Sequence, residues 1–191
     1  MGFVSVLSFA QQLVRKAVSF GDAVIDGTSG NGVDTLFLAE LVGPRGHVFA
    51  FDIQKQAIES TASRLEQAGV LDERMHLLHT SHADMNEAIG SNWHGRIKAA
   101  MFNFGYLPGA DTSVITQTDT SIRALESALE LLCKNGVITA ILYPGHTGGD
   151  TEAEAIEAWA AALRADQAQA ICYRMLNSSR TSPYMIALQK R

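Results

Sequence analysis

Between Asp26 and Asp34 the chain reads Asp-Gly-Thr-Ser-Gly-Asn-Gly-Val-Asp, a glycine-rich turn flanked by carboxylates. Gly30 and Gly32 let the backbone turn sharply and approach a ligand closely. The helix that must follow offers free N–H groups and a partial positive charge. Asp52 comes 20 residues after Gly32, at the end of a second apolar run. An acid there can accept hydrogen bonds from both hydroxyls of a ribose. The dinucleotide pattern G-x-G-x-x-G is not complete, because Val33, Asp34 and Thr35 follow Gly32. A plain tight turn would use the same glycines, so the loop alone does not decide between structure and binding.

Charge separates the candidate ligands. Asp26 and Asp34 would repel a pyrophosphate and attract a positive centre. They suit the sulfonium and amino group of S-adenosylmethionine (SAM) better than NAD.

Other residues could do chemistry. His76, His79 and His82 are spaced by three. His76 and His79 fall on a strand-like run, where an odd separation points to opposite faces, so no metal site is expected. His146 sits among Pro144, Gly145, Gly148 and Gly149. It could take a proton near neutral pH, or simply bond backbone in a turn. Glu152 could hold His146, bind an ammonium, or stabilise a helix N-terminus. Arg180 lies near Arg174, Lys190 and Arg191 in sequence. This basic end could meet RNA phosphates or be solvated surface. Cys133 and Cys172 have no CxxC partner and read as buried thiols.

These residues need a scaffold. The 191 residues suit one domain spanning 1–191, and 47% hydrophobic with 18% charged is a globular composition. The net charge of −5 argues against a general nucleic-acid grip but leaves room for a local basic patch. No apolar run reaches the ~18 residues a membrane span needs, and no signal-peptide layout is visible, so a cytoplasmic protein is expected.

Strand-length runs at 23–26, 47–51, 74–79, 97–102, 137–143, 168–175 and 184–189 alternate with helical patterns at 33–41, 54–67, 121–133 and 151–165. Asn135-Gly136 is expected to close the third of these helices. The alternation predicts an α/β, Rossmann-like fold. It has a mostly parallel seven-stranded sheet, an antiparallel edge pair formed by the last two strands, and helices on both faces. Ligands of such sheets bind at the carboxyl ends of the strands. The long irregular stretch Gly105–Asp119 belongs to that end and reads as functional.

The fourth strand ends in Asn103-Phe104-Gly105-Tyr106-Leu107-Pro108-Gly109. This run resembles the Asn/Asp-Pro-Pro-Tyr motif of amino-methylating enzymes, whose Asn oxygen orients the target amine. The alternative is that Asn103 caps a turn and Tyr106 covers core. With Asp26–Asp34, Phe51-Asp52-Ile53-Gln54, Ser81-His82 and Tyr143–Glu152, the whole chain resembles the small SAM-dependent methyltransferases labelled rRNA methylases. The class I methyltransferase form of the fold is implied by that resemblance. Members of that family methylate the aminomethyl group of 5-aminomethyl-2-thiouridine at the tRNA wobble position.

The resemblance implies that Asp26, Gly30, Asn31, Gly32, Asp52, Gln54 and His82 contact SAM. Thr28, Asp34, Thr35, Ile53, Ser81, Asn103 and Gly105, from the same runs, complete the candidate cofactor set. Asn103, Tyr106 and His146 are the candidate catalytic residues. Tyr106, Tyr143, His146, Glu152, Asn177 and Arg180 are the candidate substrate-side residues. The implied partner is the tRNA anticodon region, with a homodimer as a way to gain RNA surface. An rRNA-base or small-molecule methyltransferase, and a non-catalytic nucleotide-binding module, are the competing functions.

Overall fold

The computed structural model describes residues 2–105, 116–145 and 148–191. Seven strands form one sheet: β1 (Ala23–Asp26), β2 (His47–Asp52), β3 (Met75–His79), β4 (Ile97–Phe104), β5 (Leu132–Leu142), β6 (Ala168–Tyr173) and β7 (Tyr184–Lys190). Their order is β3-β2-β1-β4-β5-β7-β6. The first five are mutually parallel, and β7 runs antiparallel to both β5 and β6. The expected mixed sheet with its antiparallel edge pair is therefore present.

Helices cover both faces. Those described are α1 (Val6–Ala17), α2 (Val33–Val42), α3 (Lys55–Gln67), α4 (Met85–Ile89), α5 (Thr118–Leu131) and α6 (Gly149–Ala162). Strand alternation sorts their partners. Ala100, Phe102 and Phe104 of β4 join one core with Met85, Leu125 and Ile156 of α4, α5 and α6. Ala99 and Met101 join the opposite core with Val14, Leu38 and Leu65 of α1, α2 and α3. Asn103 continues the alternation of Ala99 and Met101, so β4 delivers it to the face covered by α1 and α2.

Some elements differ from the sequence reading. The helix expected to close at Asn135-Gly136 ends at Leu131, where the Leu132 N–H still bonds Ala128 O. Leu132 is buried and pairs with Ile97, so core packing pulls the chain directly into β5. Asn135, at φ 62°, lies in the irregular start of that strand, where the register slips. The helix α1, absent from the sequence reading, buries Ala10 and Val14 against the sheet. Cys172 is exposed on the edge strand β6 and Cys133 is half-buried, so neither is the core thiol expected. No described helix is long and apolar enough to cross a membrane.

Candidate active site

The carboxyl ends of β1, β2 and β4 open onto a cavity of about 700 Å³. Its floor is the turn after β1. Gly32 caps α2 with φ 75°, and a Cβ there would come within 2.8 Å of the Thr61 backbone, so no other residue fits without displacing α3. Gly27 leaves its side-chain space to the Phe102 ring. The turn is fastened from outside. Thr61 Oγ1 donates to Gly30 O at 3.2 Å, and Arg64 Nε donates to Asn31 O at 2.6 Å.

Asp52 stands at the tip of β2. Its Oδ2 accepts the Gly30 N–H at 3.0 Å and its Oδ1 accepts the Gln54 N–H at 2.9 Å. Each carboxylate oxygen keeps a second lone-pair direction, so the pair can still receive a diol. Thr28, Gly30, Asn31, Ile53, Gln54, Ser81, His82 and Gly105 line the same cavity. His82 Nδ1 sits 3.1 Å from Gly27 O, and the ring stands edge-on to Phe102 and Phe104. Burial holds its pKa below the ordinary value, so it is a neutral ring that donates to Gly27 O.

Three expected cofactor residues sit behind the wall: Asp26, Gly32 and Thr35 do not line the cavity. Asp26 is fully buried and accepts from the Thr28 N–H at 3.1 Å and Thr35 Oγ1 at 2.6 Å. Burial first, and then the Asp34 charge, push its carboxyl up to about 7. Asp26 and Thr35 shape the turn, and Gly32 allows it.

Asp34 and Asn103 occupy the inner wall. Asp34 is buried, at 8% exposure, and each of its oxygens receives one amide. Gln11 Nε2 donates to Oδ1 at 2.9 Å, and Asn103 Nδ2 donates to Oδ2 at 2.8 Å. The Asn103 backbone N–H donates to Thr28 Oγ1 at 2.7 Å. Asn103 lines the cavity, and its Oδ1 is buried with no hydrogen-bond partner among the described residues. Ser29 Oγ, also on the wall, is likewise unpartnered. A buried acceptor without a donor is costly unless a ligand satisfies it.

The substrate-side expectations divide. Tyr143 lines the cavity and is half-buried. Tyr106 and His146 lie outside the described residues. Glu152 is buried at 3% exposure and both its oxygens are engaged, by Ser121 Oγ at 2.7 Å and Thr116 Oγ1 at 2.8 Å. It does not line the cavity. It ties α6 to α5 and to Thr116, whose N–H also bonds Gly105 O at 3.0 Å. Glu152 therefore holds Thr116, itself bonded to Gly105, against α5 and α6, and is not presented to an ammonium.

Asn177 and Arg180 are exposed and outside the cavity. The basic cluster seen in sequence separates in space. Arg180 is next to Thr181, whose carbonyl lies 3.1 Å from the Cβ position of Gly145, at the crevice end of the sheet. Lys190 donates to Glu130 O and Leu132 O at the opposite end. Arg174 spends its charge on Glu157 and the Tyr184 ring.

Sequence reasoning missed Leu7, Ser8 and Gln11 of α1, Ser29, and Thr116, Gln117 and Thr120 near α5, all on the cavity wall. The available signal for α1 was its apolar spacing at Val6, Ala10, Leu13 and Val14, which marks one buried face. Among the described residues no three His, Cys, Asp or Glu side chains are grouped to hold a metal ion.

The family model described as "Putative rRNA methylase" matches residues 48–189. The chain belongs to this family. A relative from Arabidopsis thaliana, a chloroplastic tRNA (mnm5s2U34)-methyltransferase, is 39% identical over 188 residues. The alignment covers 95% of this chain and 66% of that protein's length. A crystal structure of a family member from Clostridium thermocellum superposes with a TM-score of 0.95 at 34% identity, covering 100% of both chains. A "putative methyltransferase" from Streptococcus mutans, solved with S-adenosylhomocysteine, gives a TM-score of 0.87 at 30% identity, again over 100% of both chains.

Proposed function

We propose that this protein is a SAM-dependent N-methyltransferase. We further propose that it acts on the aminomethyl group of 5-aminomethyl-2-thiouridine at the tRNA wobble position. The cofactor is S-adenosylmethionine. The cavity residues fit it: a volume of about 700 Å³, a carboxylate with free lone pairs at Asp52, and an acidic inner wall at Asp34. The Thr28–Asn31 turn, Asp52, Ile53, Gln54, Ser81 and His82 would hold its nucleoside end. Asp34 and Ser29 would meet its amino-acid end. When bound, SAM supplies a methyl group already activated by a sulfonium.

The observation that carries the reading is Asn103. Asn103 lines the cavity, its amide nitrogen donates to Asp34, and its oxygen is a buried acceptor with no partner among the described residues. An amine N–H satisfies that oxygen, and accepting it fixes the nitrogen lone pair in direction. Asn103 itself takes no charge, because orientation supplies much of the rate of such a transfer. The amine must arrive neutral, since an ammonium has no lone pair. Activity is therefore expected to rise with pH between about 6 and 9, with His146 as the group proposed to take the proton.

The tRNA substrate is supported by the Arabidopsis relative and by the amine-directed acceptor. Arg180, exposed at the crevice end, is proposed to meet phosphate. The test is methyl transfer to tRNA carrying the aminomethyl group, read by mass spectrometry of the nucleosides. Formation of the methylaminomethyl nucleoside supports the reading. Transfer only to unmodified tRNA, to rRNA or to small amines overturns it.

A further inference from the structure

We propose that Gln11, on α1, is a positioning residue for methyl transfer that acts through Asp34 to hold Asn103. The proposal rests on the reading of Asn103 given above and deepens it.

Three elements meet at Asp34. Gln11 of α1 donates to one oxygen at 2.9 Å, and Asn103 of β4 donates to the other at 2.8 Å. The carboxylate, on the first turn of α2, is thereby held from two sides. This decides which way the Asn103 amide points. Turned over, it would set its oxygen against a carboxylate oxygen, acceptor against acceptor. With Asp34 fixed, the nitrogen faces Asp34 and the oxygen points away from it, without a partner among the described residues.

Gln11 keeps Asp34 in that plane. Without its amide, Oδ1 of Asp34 loses a buried donor, and the carboxylate can rotate or draw in water. The Asn103 oxygen would then lose its single orientation. Gln11 is not needed to seat α1, because Ala10 and Val14 supply the buried contact of the helix. Leu7 and Ser8, about one turn earlier, line the same cavity, and neither takes part in the bonds that hold Asp34. A glutamine at this position is explained by its acceptor on α2.

The variant Gln11→Leu keeps the bulk and removes the donor. Single-turnover transfer to aminomethyl-modified tRNA, at saturating SAM, is expected to slow by about tenfold. Calorimetric SAM affinity is expected to fall by less than the rate, since Asp34 also lines the cofactor cavity. Added to Asn103→Ala, Gln11→Leu is expected to cause no further loss, because the two residues act as one unit. A wild-type rate in Gln11→Leu, losses that multiply in the double variant, or a rate loss matched by lost SAM affinity would each overturn the proposal.

An activity-free readout separates this from the substrate assignment. The Asn103 side-chain amide can be assigned in a nitrogen-15 spectrum by its disappearance in Asn103→Ala. That signal is expected to shift in Gln11→Leu without any substrate, and an unmoved signal overturns the proposal. If the wild type does not methylate the modified tRNA, the substrate reading falls while the amide signal still decides on Gln11.

Discussion

The carboxylates that end β1 and β2 and the amide near the end of β4 are satisfied to opposite degrees. Asp26 and Asp52 each have both carboxylate oxygens engaged within the chain. Asn103 has an oxygen with no partner among the described residues. The difference teaches how to read a site of this kind. Saturated groups build the cradle and lend spare lone pairs to a ligand. Asn86 Oδ1 and Thr139 Oγ1 are also buried without partners but lie away from the cavity. It is therefore the cavity-lining position of Asn103 that makes its oxygen a candidate ligand contact.

The largest effect is expected at the unsatisfied group. Asn103→Ala should cut single-turnover methyl transfer by roughly 100- to 1,000-fold, the range for removing one preorganised polar contact to a reacting centre. SAM affinity measured by calorimetry should hardly change. Equal losses in rate and affinity would erase the contrast, making Asn103 another cradle residue.

At the saturated side, Asp26 gives a pH test. Its folded pKa of about 7 lies above the unfolded value of 3.8. Between those values the folded state binds a proton that the unfolded state has released. The Asp26 contribution to stability is therefore full below pH 4 and is lost as pH rises towards 7, by about 4 kcal/mol. Denaturant titrations of Asp26→Asn should lack that slope. An identical slope in the variant would mean that another group carries it.

Asp52→Ala should weaken SAM binding by about 2–3 kcal/mol, since it removes charge-assisted acceptors from the ribose hydroxyls. It also frees the Gly30 and Gln54 N–H groups. Unchanged affinity would leave Asp52 a purely structural residue and break the idea that saturated groups still serve the ligand.

The smallest effect is expected farthest from both regions. Arg180→Glu should leave SAM affinity unchanged and lower tRNA affinity modestly. It should also reduce the slope of log affinity against log salt by about one if a phosphate contact is lost. An unaltered slope assigns Arg180 to solvated surface.

What the sequence made legible follows the same division. Asp52 and the Gly30–Gly32 turn were readable because their partners are local or imposed by the sheet. A strand, a glycine turn and an acid one strand later can be arranged in few ways. The placement of Asn103 at the end of β4 was readable for the same reason. The role of Gln11 was not, because its acceptor Asp34 is 23 residues away and is reached only once α1 packs across the sheet. Glu152 was assigned to the substrate side on its motif. The structure gives its oxygens to Ser121 and Thr116, contacts that no local pattern specifies. The basic residues near the C-terminus looked like one patch because they are close in sequence. The antiparallel hairpin sends Arg180 and Lys190 to opposite ends of the sheet. Asn135-Gly136 had the chemistry of a helix stop, and the burial of Leu132 overrode it.

The unpartnered oxygen of Asn103 is proposed to receive the substrate amine. The most direct measurement is a crystal structure of the protein with S-adenosylhomocysteine and an anticodon stem-loop carrying 5-aminomethyl-2-thiouridine. The account predicts the aminomethyl nitrogen within hydrogen-bond distance of Asn103 Oδ1, about 2.7–3.2 Å, with the Asn103 amide nitrogen still on Asp34. An amine bound elsewhere, or an Asn103 amide turned over with its oxygen on another partner, would contradict it.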